Sequence, residues 1–372
     1  MKLLHTADLH LRDDDKQRWT TFEWICQKAL DEKVRFLVIA GDVFNRAKEA
    51  SPELIKRIRE RFESLKGIRV IIIPGNHDQK DGPDPFIPRN YYGENVSVCC
   101  QRPYEILEEN KVVFYCFPFQ PETSSREVFQ KFKLKENGGL LHLGVMHGTL
   151  IDDENIRNYA KEVEQEYFPI YRQDIEEAGF DYLALGHIHK KFWQNRIGKT
   201  EIVYPGTPEP WKSTEEEERK VALVRLDDNG VRVKDISVEP ALKVIRWSMR
   251  MRSDEEEKTI KEIKGYLEEK KKDPKAKSFW AVVEIDGLVK DEQMVNKSID
   301  RLKEDFRDVF GNMDIRNRIK GVGAYLDYRI CSDFIEKIED KLQGAKMFQE
   351  KEKYSRALGI GLEALRKVGR LG

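Results

Sequence analysis

Val70-Ile71-Ile72-Ile73-Pro74-Gly75-Asn76-His77-Asp78 runs from four consecutive β-branched residues into a turn that carries an amide, an imidazole and a carboxylate. A short apolar run bounded by turn residues reads as a buried strand. The same grammar recurs four times. Leu3-Leu4 precedes Asp8-Leu9-His10, Phe36 to Ile39 precedes Gly41-Asp42, Leu141 to Met146 precedes His147, and Tyr182 to Leu185 precedes Gly186-His187-Ile188-His189. Metal-ligand side chains therefore gather at strand ends. In a layered α/β fold the carboxyl ends of neighbouring strands meet at one edge of the sheet, where active sites usually form. Asp8 and His10, like His187 and His189, are two residues apart, so on an extended backbone each pair faces one side. Glycines at 41, 75, 148 and 186 allow tight turns and keep side-chain bulk away from ions. Asn76 adds a neutral oxygen ligand. His5 and His142 match no ligand position and read as structural.

The ordered set of Asp8/His10, Asp42, Asn76-His77-Asp78, His147 and His187/His189 resembles the calcineurin-like metallophosphoesterase superfamily. Position by position, the resemblance implies one metal held by Asp8, His10, Asp42 and His189. It implies a second held by Asp42, Asn76, His147 and His187, with Asp42 shared. His77 would be the acid or electrostatic partner at the scissile phosphate, and Asp78 the group that orients it. The resemblance favours two Mn²⁺ per chain, although imidazole, carboxylate and amide ligands also suit Fe or Zn, and Mg²⁺ stays open. Such a pair activates water and stabilises the entering and leaving oxygens of an in-line displacement.

The chain has 372 residues, enough for one substantial core and a second smaller domain. Its five cysteines show no paired spacing beyond Cys99-Cys100, which points to a reducing, cytoplasmic setting. With the first candidate ligand at position 8 there is no room for a leader, and no apolar run approaches membrane-spanning length. Net charge is −1, but the first 240 residues carry −6 and the remainder +5, so DNA could lie against the later segment as well as the metal site.

Strands at 2–7, 35–40 and 68–73 alternate with helices near 17–32 and 52–66, a βαβαβ opening that predicts parallel pairing. Further strands at 96–101, 111–116, 141–146, 181–185, 201–204, 219–226 and 231–237 predict a two-sheet sandwich flanked by helices over residues 1–240. The loop after Tyr204-Pro205-Gly206 starts near the metal site, and its run Glu215 to Glu218 reads as exposed. Residues 241–330 restart as a small α/β capping domain: strands 243–250, 278–286 and 313–318, with helices 254–272 and 291–308. In the first of these helices Asp254 to Glu257 and Lys270 to Lys272 complement the dipole. Lys275, Lys277, Arg316, Arg318 and Lys320, with Trp280, serve the solvated surface or contact phosphates. Residues 331–372 read as two helices parting near Gly344. Their stripes Phe334/Ile335/Ile338/Leu342 and Leu358/Leu362/Leu365/Val368 either pack on the chain itself or meet a partner.

Gly41-Asp42-Val43-Phe44 with Ser51-Pro52, Pro74 to Asp78, Leu185 to His189 and Tyr204-Pro205-Gly206 together resemble the SbcD-type DNA double-strand-break repair nucleases. That resemblance implies Mn²⁺-dependent 3′ to 5′ exonuclease and single-strand endonuclease action on broken DNA ends, a homodimer, and an SMC-like ATPase of the SbcC type bound by the tail. Two features depart from the family. Asp13-Asp14-Asp15 follow the first motif, where carboxylates would repel phosphate unless they point away. Arg12, Lys16, Arg18, Trp19 and Arg46 are the candidate DNA contacts nearby. Pro83, Pro85 and Pro88 oppose a helix that in the family supports the dimer, leaving Leu54, Ile55, Ile58, Phe62 and Leu65 as either a smaller interface or core. The rival enzymatic reading is a phosphatase or phosphodiesterase for small phosphoesters. A fold that kept its shape without chemistry would have lost ligands, and here none is missing.

Overall fold

The computed structural model describes residues 1–79, 92–121, 123–130, 132–135, 139–151, 168–227, 230–252, 255–321, 329–345 and 348–367. The prolines at 83, 85 and 88 lie outside these residues. The chain forms two compact units, 1–242 and 243–372. In the second, the tail helices fall together with the preceding α/β segment.

The first unit contains two six-stranded sheets. In one, Lys2–Thr6, Phe36–Ala40, Arg69–Ile73 and Val96–Val98 run parallel in that order, as the βαβαβ opening predicts. Lys220–Asp227 adds antiparallel to Lys2–Thr6, and Gly230–Ser237 closes that side. In the other sheet, Val112–Phe117, Leu141–His147, Tyr182–Gly186 and Thr200–Tyr204 are parallel, with antiparallel edges at Glu105–Glu109 and Trp193–Ile197. The facing sides share one core: Leu3, Val38 and Ile71 from the first sheet meet Phe114, Val145 and Ala184 from the second. Strands covered on both faces must be apolar throughout, which is why these read as continuous runs.

Helices cover the outer faces. Lys16–Asp31 is capped by Asp15, whose carboxylate accepts from the Arg18 N–H at 3.0 Å. Pro52–Glu63 has Pro52 at its first position, and the Ser51 hydroxyl oxygen accepts from the Leu54 N–H at 3.0 Å. Leu54, Ile58, Phe62 and Leu65 are buried in the core beneath the first sheet, and Ile55 packs against it. That stripe is therefore core, and is not available as a smaller dimer interface.

Several elements differ from expectation. The strand expected over 96–101 ends at Val98, and the helix after Pro52 stops at Glu63. The edge strands Glu105–Glu109 and Trp193–Ile197 and the short helix Arg172–Ala178 were not foreseen. Edge strands bury one face at most, so their composition lacks an apolar run.

In the second unit, Lys243–Met251, Phe279–Val289 and Asn312–Gly321 form a parallel sheet, joined by helices Glu256–Lys271 and Glu292–Phe306. Ala281, Val283 and Ile285 pack on Ile263, Leu267, Ile299 and Phe306. Trp280 Nε1–H donates to Asp314 at 3.2 Å, Arg316 pairs with Glu284 at 3.0 Å, and Lys277 bonds the Asp308 carbonyl, while Arg318 and Lys320 stay exposed. The tail forms helices Arg329–Gly344 and Phe348–Lys367. They pack on each other: a Cβ at Gly361 would lie 2.2 Å from Phe334 Cζ, and Lys341 Nζ stands 5.6 Å from the Tyr354 ring. Among the described residues no helix is long and apolar enough to cross a membrane.

Candidate metal centre

The strand Lys2–Thr6 stops before Asp8, so the Asp8/His10 pair does not sit on extended backbone. Asp8, His10 and Asp42 instead take left-handed φ of 54°, 48° and 54°. Such values are uncommon outside glycine and cost energy unless the surroundings enforce them. Here a ladder between two loops enforces them: the N–H groups of Asp8, His10 and Leu11 donate to the carbonyls of Gly41, Asp42 and Val43 at 3.0, 3.0 and 2.8 Å. Pairing of neighbouring parallel strands thus continues past their ends as a strained double loop that turns the side chains of both motifs into one pocket.

Asp8, His10, Asp42 and His189 converge so that one ligand atom from each lies within 4.8 Å of every other. Asp8 and His10 are wholly buried and Asp42 nearly so, whereas His189 keeps a partly exposed edge. His10 Nε2 and His189 Nε2 approach to 3.0 Å. Beside this group, His147 Nε2 lies 3.0 Å from Asn76 Oδ1 and 3.4 Å from Asp42 Oδ2. His147 Nδ1 donates to the Ala40 carbonyl at 2.8 Å, which fixes Nε2 as the ligand-type atom. His187 follows with φ 100°, its N–H donating to the Asp8 carboxylate at 3.0 Å and its ring 5.3 Å from that of His147.

The approach is too tight for side chains elsewhere. A Cβ on Gly41 would lie 2.1 Å from His147 Nδ1, and one on Gly75 2.2 Å from Asp42 Oδ1. These two glycines let the backbone of one ligand loop pass directly against the ligand of another.

The electrostatics are those of a cation-binding site. Burial, together with the Asp42 charge, pushes Asp8 up to about 8. Burial holds His10 well below its ordinary value and takes His187 and His189 down to about 3, so these rings are neutral donors of lone pairs. Burial would also lower His147, but the Asp42 and Asp8 charges and the Ala40 carbonyl raise it to about 9. Burial opposes ionisation of Asp42 too, yet His147, His10 and His77 hold it well below the carboxylate range. The His147 proton is thus a partial substitute for positive charge. Asp42 Oδ2 and His10 Nδ1 are buried with no well-formed hydrogen bond among the described residues, His147 Nε2 standing off at 3.4 Å from Asp42 Oδ2. A buried carboxylate oxygen met only by so long a contact is costly unless a cation or a closer donor reaches it. Oxygen and neutral imidazole donors around that atom form a set that could hold divalent metal.

His77 borders the group, its ring 4.8 Å from that of His10. Its backbone N–H donates to Asp42 Oδ1 at 2.9 Å, and its Nδ1 lies 2.5 Å from the Asn45 carbonyl. A carbonyl only accepts, so Nδ1 carries a proton and Nε2 is the nitrogen left for substrate. Asp78 does not hold this ring as expected. Its buried carboxylate accepts instead from the N–H groups of Val43 at 3.1 Å, Phe44 at 3.0 Å and Gly75 at 3.0 Å, and so ties the two ligand loops together.

The acidic run after the first motif is turned to structural use. Asp13 accepts from Ser51, Asp14 pairs with Arg12 at 3.2 Å, and Asp15 caps the first helix. Of the candidate DNA contacts, Arg12, Lys16 and Arg46 are exposed, with Arg46 paired to Glu49. Arg18 is buried and donates to the Leu9 and Pro210 carbonyls at 3.1 and 3.0 Å, and Trp19 lies under the Arg57 guanidinium at 3.9 Å. These two are internal struts, because their polar or aromatic groups are taken up within the fold. His5 and His142 are buried on Tyr182 and Tyr115 hydroxyls at 2.9 and 3.1 Å.

Three further contributors carry no motif in the sequence. Thr207 donates its hydroxyl to the Asp8 carbonyl at 2.9 Å. The Asn45 carbonyl is a backbone group and leaves no trace in residue identity. Trp211 stands over His10 with ring centroids 4.2 Å apart; its nearness to Tyr204-Pro205-Gly206 was the available signal. Glu215, expected in an exposed run, is buried, accepting from the Trp211 N–H at 2.9 Å and pairing with Arg219 at 3.3 Å.

Two mixed sheets that deliver carboxylate, imidazole and amide donors to one edge define a metallophosphoesterase. The chain belongs to the calcineurin-like phosphoesterase family, whose sequence profile matches residues 1–233. It is 24% identical to an uncharacterized metallophosphoesterase, YhaO, of Bacillus subtilis, over 62% of this chain and 59% of that one. It is 25% identical to the DNA double-strand break repair protein Mre11 of Methanopyrus kandleri, over 68% and 58% of the two chains. With the Mre11 of Methanocaldococcus jannaschii it shares 26%, over 63% and 65%. The chain thus spans less than two thirds of the length of these relatives.

Proposed function

We propose that this phosphoesterase is a Mn²⁺-dependent DNA nuclease, acting as 3′ to 5′ exonuclease and single-strand endonuclease on broken DNA ends. The observation that carries the chemistry is the convergence of Asp8, His10, Asp42 and His189 on one point, with Asn76 and His147 adjoining them and His77 beside them. Asp8, His10, Asp42 and His189 would hold one ion, and Asp42, Asn76, His147 and His187 the other. The ions would supply Lewis acidity and an activated water for in-line displacement at phosphorus.

The chain's own groups do the rest. His77, with Nδ1–H fixed on the Asn45 carbonyl, turns Nε2 to the substrate; as the imidazolium it gives its Nε2 proton to the leaving 3′ oxygen as the P–O3′ bond breaks, and is left as the neutral Nδ1–H ring. Asp42 positions the same loop through the His77 N–H, which couples the acid to the shared ligand. Asp78 is a positioning residue for both loops. DNA is favoured over a small ester by the likeness to two proteins named for DNA double-strand break repair. On that reading the tail helices serve an SMC-like ATPase, the chain works as a homodimer, and the exposed Arg12, Lys16 and Arg46 meet the DNA backbone.

The test is hydrolysis of end-labelled single- and double-stranded DNA with Mn²⁺ or Mg²⁺, beside a small chromogenic phosphodiester and an Asp42→Asn control. Mn²⁺-dependent shortening of DNA that disappears in the control is the expected result. Cleavage of the small ester alone would transfer the assignment to a phosphatase or phosphodiesterase of small phosphoesters.

A further inference from the structure

We infer that Trp211 is a stacking platform for a nucleobase carried on the phosphate at this site, and so a specificity-determining residue. The inference rests on the phosphodiesterase reading above and names the group that the site recognises beside the phosphate.

The indole lies against three imidazoles at once, with centroids 4.2 Å from His10, 5.6 Å from His189 and 6.0 Å from His77. Two of these are ligand candidates and the third is the candidate acid, so the ring borders the place where a scissile phosphate must sit. It belongs to none of the buried apolar clusters of this unit, although Trp19, Trp24 and Trp193 each pack against one. It is only partly buried. A large, partly exposed aromatic ring beside a cluster of buried metal-ligand side chains suits a ligand with an aromatic part next to an anionic one.

The ring is also held in advance. Its backbone N–H is bonded to the buried Glu215, which Arg219 pairs at 3.3 Å, and Arg219 donates in turn to the His189 carbonyl at 3.1 Å. The Arg18 guanidinium stands 5.1 Å from the indole centroid, within cation–π range, and is itself fixed by the Leu9 and Pro210 carbonyls. A platform fixed before binding costs less ordering when the ligand arrives. Stacking tolerates any base, because every base offers a π-face.

The experiment is calorimetric binding of dAMP and of 2-deoxyribose 5-phosphate to the full chain with Mn²⁺, for the native protein and for Trp211→Leu, Trp211→Phe and Trp211→Tyr. The native protein should favour dAMP by about five- to a hundredfold, the range that stacking on one aromatic side chain supplies. Trp211→Leu should bind both compounds with similar affinity, while the Phe and Tyr variants recover most of the preference. A role confined to folding would lower both affinities together and leave their ratio unchanged. Equal native affinities, no binding of either compound, or a preference that survives in Trp211→Leu overturns the inference. The outcome is separable from the nuclease assignment, since a base preference without DNA cleavage would retain the platform and remove the nuclease.

Discussion

Replacing Asp78 should destabilise the first unit by an amount that depends on pH in a calculable way. Among the described residues its carboxylate is the acceptor for three backbone N–H groups, those of Val43, Phe44 and Gly75. Leaving a buried donor unsatisfied costs about 1–3 kcal/mol, so Asp78→Ala strands three donors and should cost about 3–6 kcal/mol once water enters the vacated space. Asp78→Asn retains one acceptor oxygen and turns an N–H toward the remaining donor, a loss of about 1–3 kcal/mol. Against this stands the charge. Burial, then repulsion from Asp42, raises the carboxyl from 3.8 to about 6. A folded value raised for an acid means the folded state favours the protonated form, so ionisation subtracts stability as pH climbs from about 4 through 6. At about one unit per 1.36 kcal/mol the full penalty is about 3 kcal/mol above that window. Neither variant carries it. Relative to the native protein, both should therefore improve by about 1.4 kcal/mol between about pH 5 and about pH 7.5 in chelator-treated protein. Urea unfolding at the two pH values measures the shift, and hydrogen exchange of peptides spanning residues 40–48 and 70–79 shows whether the two loops open together. A pH-independent difference, or Ala no worse than Asn at both pH values, would refute the reasoning.

His77→Ser should leave Mn²⁺ binding intact while lowering DNA hydrolysis by about 10²–10⁴-fold, the usual contribution of a positioned acid; unchanged turnover with metal bound would remove His77 from the chemistry. Metal loading should release protons, because near neutral pH Asp8 at about 8 and His147 at about 9 both hold one in the metal-free fold. Affinity for Mn²⁺ should rise as pH climbs toward 9, with about two protons released per chain at about pH 7. Calorimetry in buffers of different ionisation enthalpy counts them, and an affinity flat across that range would contradict the assigned protonation states.

Much of the site could be read in advance because its residues occupy strand-to-loop junctions, where an apolar run ends abruptly in histidine, aspartate and glycine. Asp42, His147 and the pair His187/His189 announce themselves this way. Asp8 and His10 nonetheless do not converge through an extended backbone: they reach one pocket through left-handed backbone held by the Gly41 and Asp42 carbonyls. Asp78 looked like an orienting partner for its neighbour His77, but sequence adjacency does not say which way a side chain turns. Arg18 and Trp19 looked like surface groups until the helix that carries them placed one over Pro210 and the other beneath Arg57.

Residue pattern alone is enough to find the buried strands that lead into the ligand motifs, their succession along the chain and the chemical kinds of donor at their ends, because buried strands impose local periodicity and ligand chemistry demands particular side chains; the edge strands leave no such pattern. Packing alone sets which nitrogen of His147 faces Asp42, the 3.4 Å separation between that nitrogen and Asp42 Oδ2, and the position of Trp211 over three histidines distant from it in the chain. Those are long-range facts. They follow from two sheets packing face to face, with loops at one edge whose backbones exchange hydrogen bonds, and no local pattern of residues encodes where such loops meet.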